Sequence, residues 1–384
     1  MGEKIILAGA ASVSGHDEII KAFSEIGFEA EFIEAPFIKK YYKDFLFKDI
    51  SYTDTIPENR IAIPLSEYWI SQCIKSRQCA ISEKALKASR SKKYFYNLLA
   101  AAEIPVPEIF DTIEKAKNFV QENNATIIVK PEGLFSGYAV KIVSQKNLNL
   151  LENIVQKAKE VRNNAVKLFE VKNNSALITE LVQGDEYSAD LFFCRGRLSL
   201  VRLCKKVVAE IHGTPCTAIC QLVPCSEDFF KQMKHWCSVL FSDDNISFAQ
   251  FDFIDNGCGQ IVPIDFACRV GGGMSELFSE CKNNVYADAV WGKQYQPEIS
   301  KGYLTQFNYL PTKSGILSKD DFNLMAGKQF IYKHKEDFVP ESPSSVASRI
   351  AVVVRNYPDA TEKDAERLLI GDDCIDFWKN SRRK

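Results

Sequence analysis

The opening of the chain alternates between two hydrophobic periods. An apolar run at Lys4–Ala8 gives way to small residues over Gly9–Gly15 and then to apolar positions at helical spacing over Asp17–Ile26. Phe28–Glu34 returns to β-rich residues, so the pattern predicts a βαβ-like start. Apolar positions at helical spacing through Tyr68–Ile74 and Tyr94–Ala102 predict a mainly helical stretch over 66–103, closed by Pro105 and Pro107. Thr126–Lys130 and Tyr138–Val143 read as strands around a short loop. Asn147–Arg162 reads as an amphipathic helix and Ala176–Leu181 as another strand. Two hairpins are predicted, Glu186–Cys194 with Leu198–Val208 and Phe248–Ile254 with Gln260–Ala267, turning at Arg195–Arg197 and Asn256–Gly259. Ser226–Phe241 and Ser275–Trp291 read as helices. The tail, 301–384, carries short strands, a β-rich run at Arg349–Val354 and a last helix at Thr361–Trp378.

Composition narrows the class. A chain of 384 residues suits two or three domains at about 100–200 residues each. Hydrophobic residues at 46% and charged residues at 26% describe an ordinary globular protein, not a collagen, a coiled coil or a disordered chain. Lys+Arg 48 against Asp+Glu 50 argues against a generally basic nucleic-acid binder. No run approaches the roughly 18–20 apolar residues of a membrane span, and Met1–Ala8 does not read as a signal peptide. The expectation is a cytoplasmic protein whose 12 cysteines are reduced and mostly buried.

The hairpin at 248–267 carries the most chemistry. A turn centred between Cys258 and Gly259 sets Asp252 directly opposite Asp265. Opposed side chains share a face with Cβ atoms about 4.5–5.5 Å apart, and two carboxylates that close need an offsetting cation. Mg²⁺ commonly takes one or two carboxylates plus substrate phosphates. The alternative is a pair of exposed aspartates on a solvated hairpin. Phe251, Phe253 and Phe266 then face the core. Arg269-Val270-Gly271-Gly272-Gly273 follows, an arginine beside glycines whose amides can approach an anion closely.

Other segments are weaker alone. Ile127–Gly137 places Lys130 at a strand end beside a loop with Gly133 and Gly137, which suits phosphate contact but lacks P-loop spacing. Thr179–Glu186 joins two strands and could offer backbone groups to an adenine edge and a carboxylate to ribose hydroxyls. Gly9 and Gly15 do not make the dinucleotide-binding pattern. His212, Cys216, Cys220 and Cys225 fit no familiar zinc spacing, and even spacing in a strand would put Cys216 and Cys220 on one face.

In this order the segments resemble the ATP-grasp superfamily, in its carboxylate–amine ligase branch, and most nearly the L-amino acid ligases. Ser91-Lys92-Lys93 with Ile104-Pro105-Val106-Pro107 is similar to the family's "DK … GIPVP" opening, with Lys92 the better match to the first ATP lysine and Lys93 close behind. Lys130 resembles the second ATP lysine, and Gly133, Ser136 and Gly137 the small loop over the phosphates. Glu180, Val182 and Glu186 resemble the adenine hinge, with Val182 a backbone contact and Glu186 on the ribose. Lys205 or Lys206 resembles a further phosphate-contacting lysine. Asp252 and Asp265 fall on the metal carboxylates, and Arg269 on the arginine of "NARxGG". Ser314–Ile316, Arg349–Val354 and the helix from Thr361 resemble the branch's C-terminal lobe.

The resemblance implies an α/β protein with four parts: a Rossmann-like domain at 1–90, a small ATP-grasp subdomain and hinge at 91–183, a large subdomain with the metal site at 184–300, and a C-terminal lobe at 301–384. It implies ATP and Mg²⁺ as cofactors and small-molecule carboxylate and amine substrates, with no nucleic acid or membrane partner. Many members are dimers, so a homodimer is the family's expectation. Arg269 and Lys130 become the catalytic candidates, joined by the Gly271–Gly273 amides as charge stabilisers. The chain also departs from the family. Two aspartates replace glutamates, Ala267 replaces an asparagine, Ser91 an aspartate and Glu103 a glycine, and Phe135 enters the phosphate loop. A nucleotide binder with little ligase activity is therefore the alternative, with a bicarbonate-using member third.

Overall fold

The computed structural model describes residues 2–40, 50–133, 137, 139–169, 175–295, 303–319, 322–339, 349–371 and 374–376. The amino-terminal unit is a parallel four-stranded sheet, β1 (Glu3–Ala8), β2 (Phe28–Glu34), β3 (Ser51–Tyr52) and β4 (Ile61–Pro64), ordered β3-β2-β1-β4. Helix α1 (His16–Glu25) makes the β1–β2 crossover, as the βαβ-like pattern predicts. The helical stretch resolves into α2 (Glu67–Ser76), α3 (Glu83–Arg90) and α4 (Lys92–Ala100). Ser82 and Ser91 supply the breaks, each accepting a backbone N–H of the helix that follows it.

A second unit holds α5 (Ile113–Asn123), β5 (Ile127–Pro131), β6 (Lys141–Val143), α6 (Leu151–Phe169) and β7 (Ala176–Glu180), with sheet order β6-β5-β7. Helix α5, capped by the Thr112 hydroxyl, was not foreseen from the pattern. Helix α6 starts later than predicted because Ser144 and Asn147 form a capping box on a preceding 3₁₀ turn.

The large sheet has nine strands. They are β8 (Asp185–Cys194), β9 (Arg197–Ile211), β10 (Thr214–Leu222), β11 (Ile246–Asp255) and β12 (Ile261–Ala267), then β13 (Thr305–Pro311), β15 (Lys328–Ile331), β17 (Ala351–Arg355) and β18 (Leu369–Ile370). Its order is β12-β11-β8-β9-β10-β13-β17-β15, with β18 on β13. The pairing of β10 with β13 carries this sheet across the boundary expected at 300. Helices α7 (Glu227–Leu240), α8 (Ser275–Phe278), α9 (Val285–Trp291) and α10 (Glu362–Glu366) pack around it, and β14 (Gly315–Leu317), β16 (Phe338–Val339) and β19 (Ile375–Asp376) make a small third sheet in the tail.

Three expectations are corrected. The helix expected at Ser275–Trp291 is two helices, because Asn284 caps α9 and its amide also donates to the Ser14 and Gly15 carbonyls. The last helix, expected at Thr361–Trp378, stops at Glu366: Leu369 pairs with Leu310 and Ile375 with Leu317, so strand pairing overrides helical spacing. Cys216 and Cys220 face opposite sides, because a bulge between Thr217 and Ile219 reverses the alternation.

Alternation along β8, β9, β11 and β12 separates two faces. One is aromatic: Phe251, Phe253 and Phe266 are buried with Phe95 and Trp236 against α3, α4 and α7, and the half-buried Tyr187 stacks on Phe253. Burying each such side chain is worth about 1.5–3 kcal/mol. The other face is apolar where Phe192 and Phe248 meet α1 and α9. Further along, the same face becomes charged.

Candidate active site

On that charged face, Asp252 of β11 lies directly opposite Asp265 of β12, and Asp252 also lies opposite Ser188 of β8. The expected pairing of the aspartates therefore holds; a bulge shifts the register only beyond Asp252. The repulsion between the carboxylates is offset by lysines. Lys206 Nζ is 2.9 Å from Asp252 Oδ2 and 2.9 Å from Glu186 Oε1. Lys92 Nζ binds Asp265 Oδ1, which also accepts the Phe266 N–H at 2.9 Å. Burial pushes Asp252 up, but the Lys206 ammonium and its hydrogen bond outweigh it and hold the carboxyl below its ordinary range.

Lys206, not Lys205, joins this group. Adjacent strand residues point to opposite faces, so Lys205 turns outward to Asp185 at 2.7 Å. Lys93 also turns away, to Asp111 at 3.0 Å, whereas Lys92 faces inward.

Lys130 is buried at the end of β5 and, among the described residues, its ammonium makes one polar contact, a long 3.4 Å donation to the Tyr96 hydroxyl, which itself donates to Ile264 O at 2.7 Å. Burial first, and the nearby Lys92 ammonium second, bring its pKa down to about 8, against the pull of Asp265, Glu186 and Asp252. Lys92, Lys130 and Lys206 thus meet around the same carboxylates.

Arg269 lines a small cleft with Lys92, Gly133, Asp265, Ala267, Glu67 and Arg90. Glu67, at the start of α2, receives Arg269 Nε at 2.8 Å and Arg90 Nη1 at 2.8 Å. Burial raises the Glu67 pKa, but the two guanidinium groups more than reverse it. Arg269 Nη1 also binds Gln250 Oε1. Gln250 lies directly opposite Ala267 and donates to Ser188 Oγ and Asp252 Oδ1, both at 3.2 Å. An amide therefore occupies this rung of the ladder although residue 267 carries none.

The glycine loop corrects one expectation. The Gly271 N–H donates to Asp190 Oδ2 at 2.9 Å, so it is committed inside the protein and is not open to a ligand. Asp190 is itself held by Arg202 through 2.9 Å and 3.2 Å bonds. A Cβ at Gly271 would collide with that guanidinium, which is why the position carries no side chain.

Gly133 lines the cleft, and Gly133 and Gly137 both take positive φ, 74° and 63°. Glu132, beside Gly133, accepts Ser91 Oγ at 2.9 Å and the Lys93 N–H at 3.3 Å, tying this loop to the start of α4. Ser136 lies outside the described residues. Glu180 ends β7, and Val182 sits in the link to β8. Burial, with Glu108 nearby, raises the Glu180 pKa. Reading strands for parity would have found Gln250, Ser188 and Asp190, two or four residues from named candidates. Glu67, Arg90 and Tyr96 had no local signal.

Residues 123–276 match the family model described as the ATP-grasp domain. The chain carries that domain at 123–276 and has the ATP-grasp fold along nearly its whole length. It is similar to the L-amino acid ligase from Bacillus licheniformis, with 14% identity and a TM-score of 0.62, covering 96% of each chain. N5-carboxyaminoimidazole synthetase from Staphylococcus aureus, solved with ADP, superposes at 13% identity and TM-score 0.56, covering 96% of this chain and 97% of that one. The biotin carboxylase domain of Hydrogenobacter thermophilus 2-oxoglutarate carboxylase, solved with MgADP and bicarbonate, does so at 13% and 0.55, covering 93% and 87%. No curated protein matches the chain by sequence. Among the described residues no helix is long and apolar enough to cross a membrane.

Proposed function

We propose that this protein is an ATP-dependent carboxylate–amine ligase that forms an amide or peptide bond through an acylphosphate. The observation that carries the reading is the meeting of Lys92, Lys130 and Lys206 around the opposed Asp252 and Asp265, with Arg269 in the same cleft. Cations gathered at carboxylates suit a polyphosphate better than a neutral ligand.

The donor set fits one hard cation. Asp252 and Asp265 are oxygen donors on adjacent strands of one face, and Mg²⁺ takes one or two carboxylates with substrate phosphates completing its shell. Bound there, Mg²⁺ would neutralise phosphate charge. Lys92 and Lys206, now on the aspartates, would exchange onto phosphate oxygens. Lys130, with one long hydrogen bond among the described residues, would gain a partner. The link after β7, with Glu180 and Val182, would hold the adenine, and Glu186 the ribose.

The substrate carboxylate would attack the γ-phosphorus and release ADP. The amine would then attack the acyl carbon, lose a proton and expel inorganic phosphate. Positioning and charge neutralisation account for such catalysis, and Arg269 is placed to stabilise the charge that develops. Glu67 and Gln250 orient its guanidinium. Ala267 supports a second reading, nucleotide binding without ligation.

One experiment separates the two. Phosphate release from ATP and Mg²⁺ is measured across a matrix of amino-acid and small-acid pairs, with mass spectrometry of products. Release tied to one pair, with its condensation product, supports the ligase. ATP binding with no release from any pair supports the second reading.

A further inference from the structure

One side chain in the middle of the charged face is neither acid nor base. Gln250 lies opposite Ala267, and Asp252 lies opposite Asp265. Residues two apart on a strand share a face, so the four side chains form a square, with two carboxylates on one rung and an amide facing a methyl on the next. Gln250 is half-buried. Its Nε2 donates to Asp252 Oδ1 and to Ser188 Oγ, both at 3.2 Å, and its Oε1 accepts Arg269 Nη1. The amide therefore sits between a carboxylate of one rung and the guanidinium that follows β12.

Two short carboxylates are a sparse set of donors. Among the described residues no group of three His, Cys, Asp or Glu side chains is placed to hold a metal ion. Hard divalent cations accept carbonyl oxygens as well as carboxylates. Aspartate holds its oxygens one methylene nearer the backbone than glutamate, within reach of a longer side chain on the next rung, and Gln250 already touches Asp252 Oδ1. Ala267 puts only a methyl opposite and leaves the rung to the Gln250 amide.

We propose that Gln250 Oε1 is a third protein ligand of the cation site, and that the same amide couples cation binding to Arg269. In the free protein the amide nitrogen faces Asp252 and the oxygen holds Arg269. The terminal torsion of glutamine is broad and roughly two-fold, so half a turn exchanges the two atoms at little rotamer cost. After the turn Oε1 faces the aspartates, and Nε2 meets Arg269 Nη1 donor to donor. The guanidinium gives up that bond and keeps Glu67 on Nε, so Nη1 is freed toward the cleft that Arg269 lines. The proposal rests on the ligase reading for the presence of a cation, and on the geometry of the square for the choice of ligand.

The test titrates Mn²⁺, an oxygen-binding stand-in for Mg²⁺, into the full chain with a non-hydrolysable ATP analogue, and reads free Mn²⁺ by electron paramagnetic resonance. Gln250→Met keeps the length of the side chain and removes its oxygen, and is expected to weaken Mn²⁺ binding at least fivefold. Gln250→Glu keeps an oxygen at the same place and binds Mn²⁺ at least as tightly as the wild type. Adding Ala267→Asn to Gln250→Met returns an amide oxygen to the rung and brings the affinity back to within twofold of wild type, which a purely structural role for Gln250 does not predict. If Gln250→Met loses its circular dichroism, Gln250→Ala replaces it in both measurements. The third ligand is overturned if the wild type binds no Mn²⁺, if Gln250→Met binds it within twofold of wild type, if Gln250→Glu weakens it, or if Ala267→Asn recovers nothing. Absence of phosphate release with every substrate pair, while Mn²⁺ binding still depends on Gln250, would sink the ligase reading and leave the third ligand standing.

Discussion

Two charged clusters share one face of the large sheet and are built to opposite ends. The Arg202–Asp190 cluster is closed. Arg202 is 1% exposed and Asp190 fully buried, and the guanidinium meets both Asp190 oxygens, Ser188 O at 3.0 Å and Ser188 Oγ at 3.1 Å. What Asp190 has left goes to the Gly271 N–H. The Lys92, Lys130, Lys206 cluster is open. Lys92 and Lys206 sit on carboxylates that a cation could take over, and among the described residues Lys130 makes only a long contact to a hydroxyl. A cluster whose opposite charges are matched to each other fixes backbone, here the loop after β12. One with exchangeable partners is ready to change them when a charged ligand arrives.

The largest effect should come from breaking the closed cluster. Asp190→Ala strands a buried guanidinium and is expected to cost about 3–5 kcal/mol in urea denaturation, where Asp190→Leu with Arg202→Met recovers much of it. If Asp190→Ala lowers stability by less than about 1 kcal/mol, the cluster is not the clamp described here.

In the open cluster the cost should fall on turnover instead. Asp265→Ala is expected to reduce phosphate release about 10²–10³-fold, on the scale of losing one transition-state stabiliser, with melting temperature little changed. Retention of wild-type rates by the purified variant would remove Asp265 from the mechanism.

Parity along β9 separates two neighbouring lysines. Lys206→Ala should weaken ATP binding at least tenfold, about 1.4 kcal/mol. Lys205→Ala should change it less than twofold, since exposed ion pairs such as Lys205–Asp185 contribute roughly 0–1 kcal/mol. Equal effects in titration calorimetry would mean that the inward and outward assignments are wrong.

The smallest effect is a slope. Lys130, ordinarily at 10.5, is brought to about 8 by burial and by Lys92. Between those values the unfolded chain binds a proton that the folded chain lacks, so the free protein gains stability as pH rises from about 8 toward 10.5. Phosphate contact needs the charged form, so ATP affinity should fall above pH 8, approaching tenfold per unit, and Lys130→Arg should flatten the profile. An affinity independent of pH in the wild type would show that Lys130 does not meet the phosphates.

The charged face was legible as far as local alternation carried it. The spacing around Cys258 and Gly259 paired Asp252 with Asp265, and the same alternation sent Phe251 and Phe253 into the core. It could not choose between Lys205 and Lys206, because the decision depends on the register of β9 against β8, which sets Lys206 level with Glu186. Nor could it show that Gly271 was already engaged, since Asp190 lies 81 residues away. The helix expected to run to Trp378 failed for a related reason: Leu369 and Ile375 are taken by distant strands whose pairing outweighs weak helical propensity.

The sequence by itself determined the alternating strands, most of the helical segments, the opposed aspartates and the lysine and glycine segments that resemble ATP-grasp proteins. Each is a short-range property, set by side-chain period or by a turn. Only the tertiary structure decided which charges are satisfied and which are not. Glu67 on Arg269, Asp190 on Gly271, and Arg349 beside Gln306 on Gly273 are 202, 81 and 76 or 33 residues apart along the chain. Their energies depend on burial and on the nearest opposite charge, and both quantities exist only once the sheets have closed on one another.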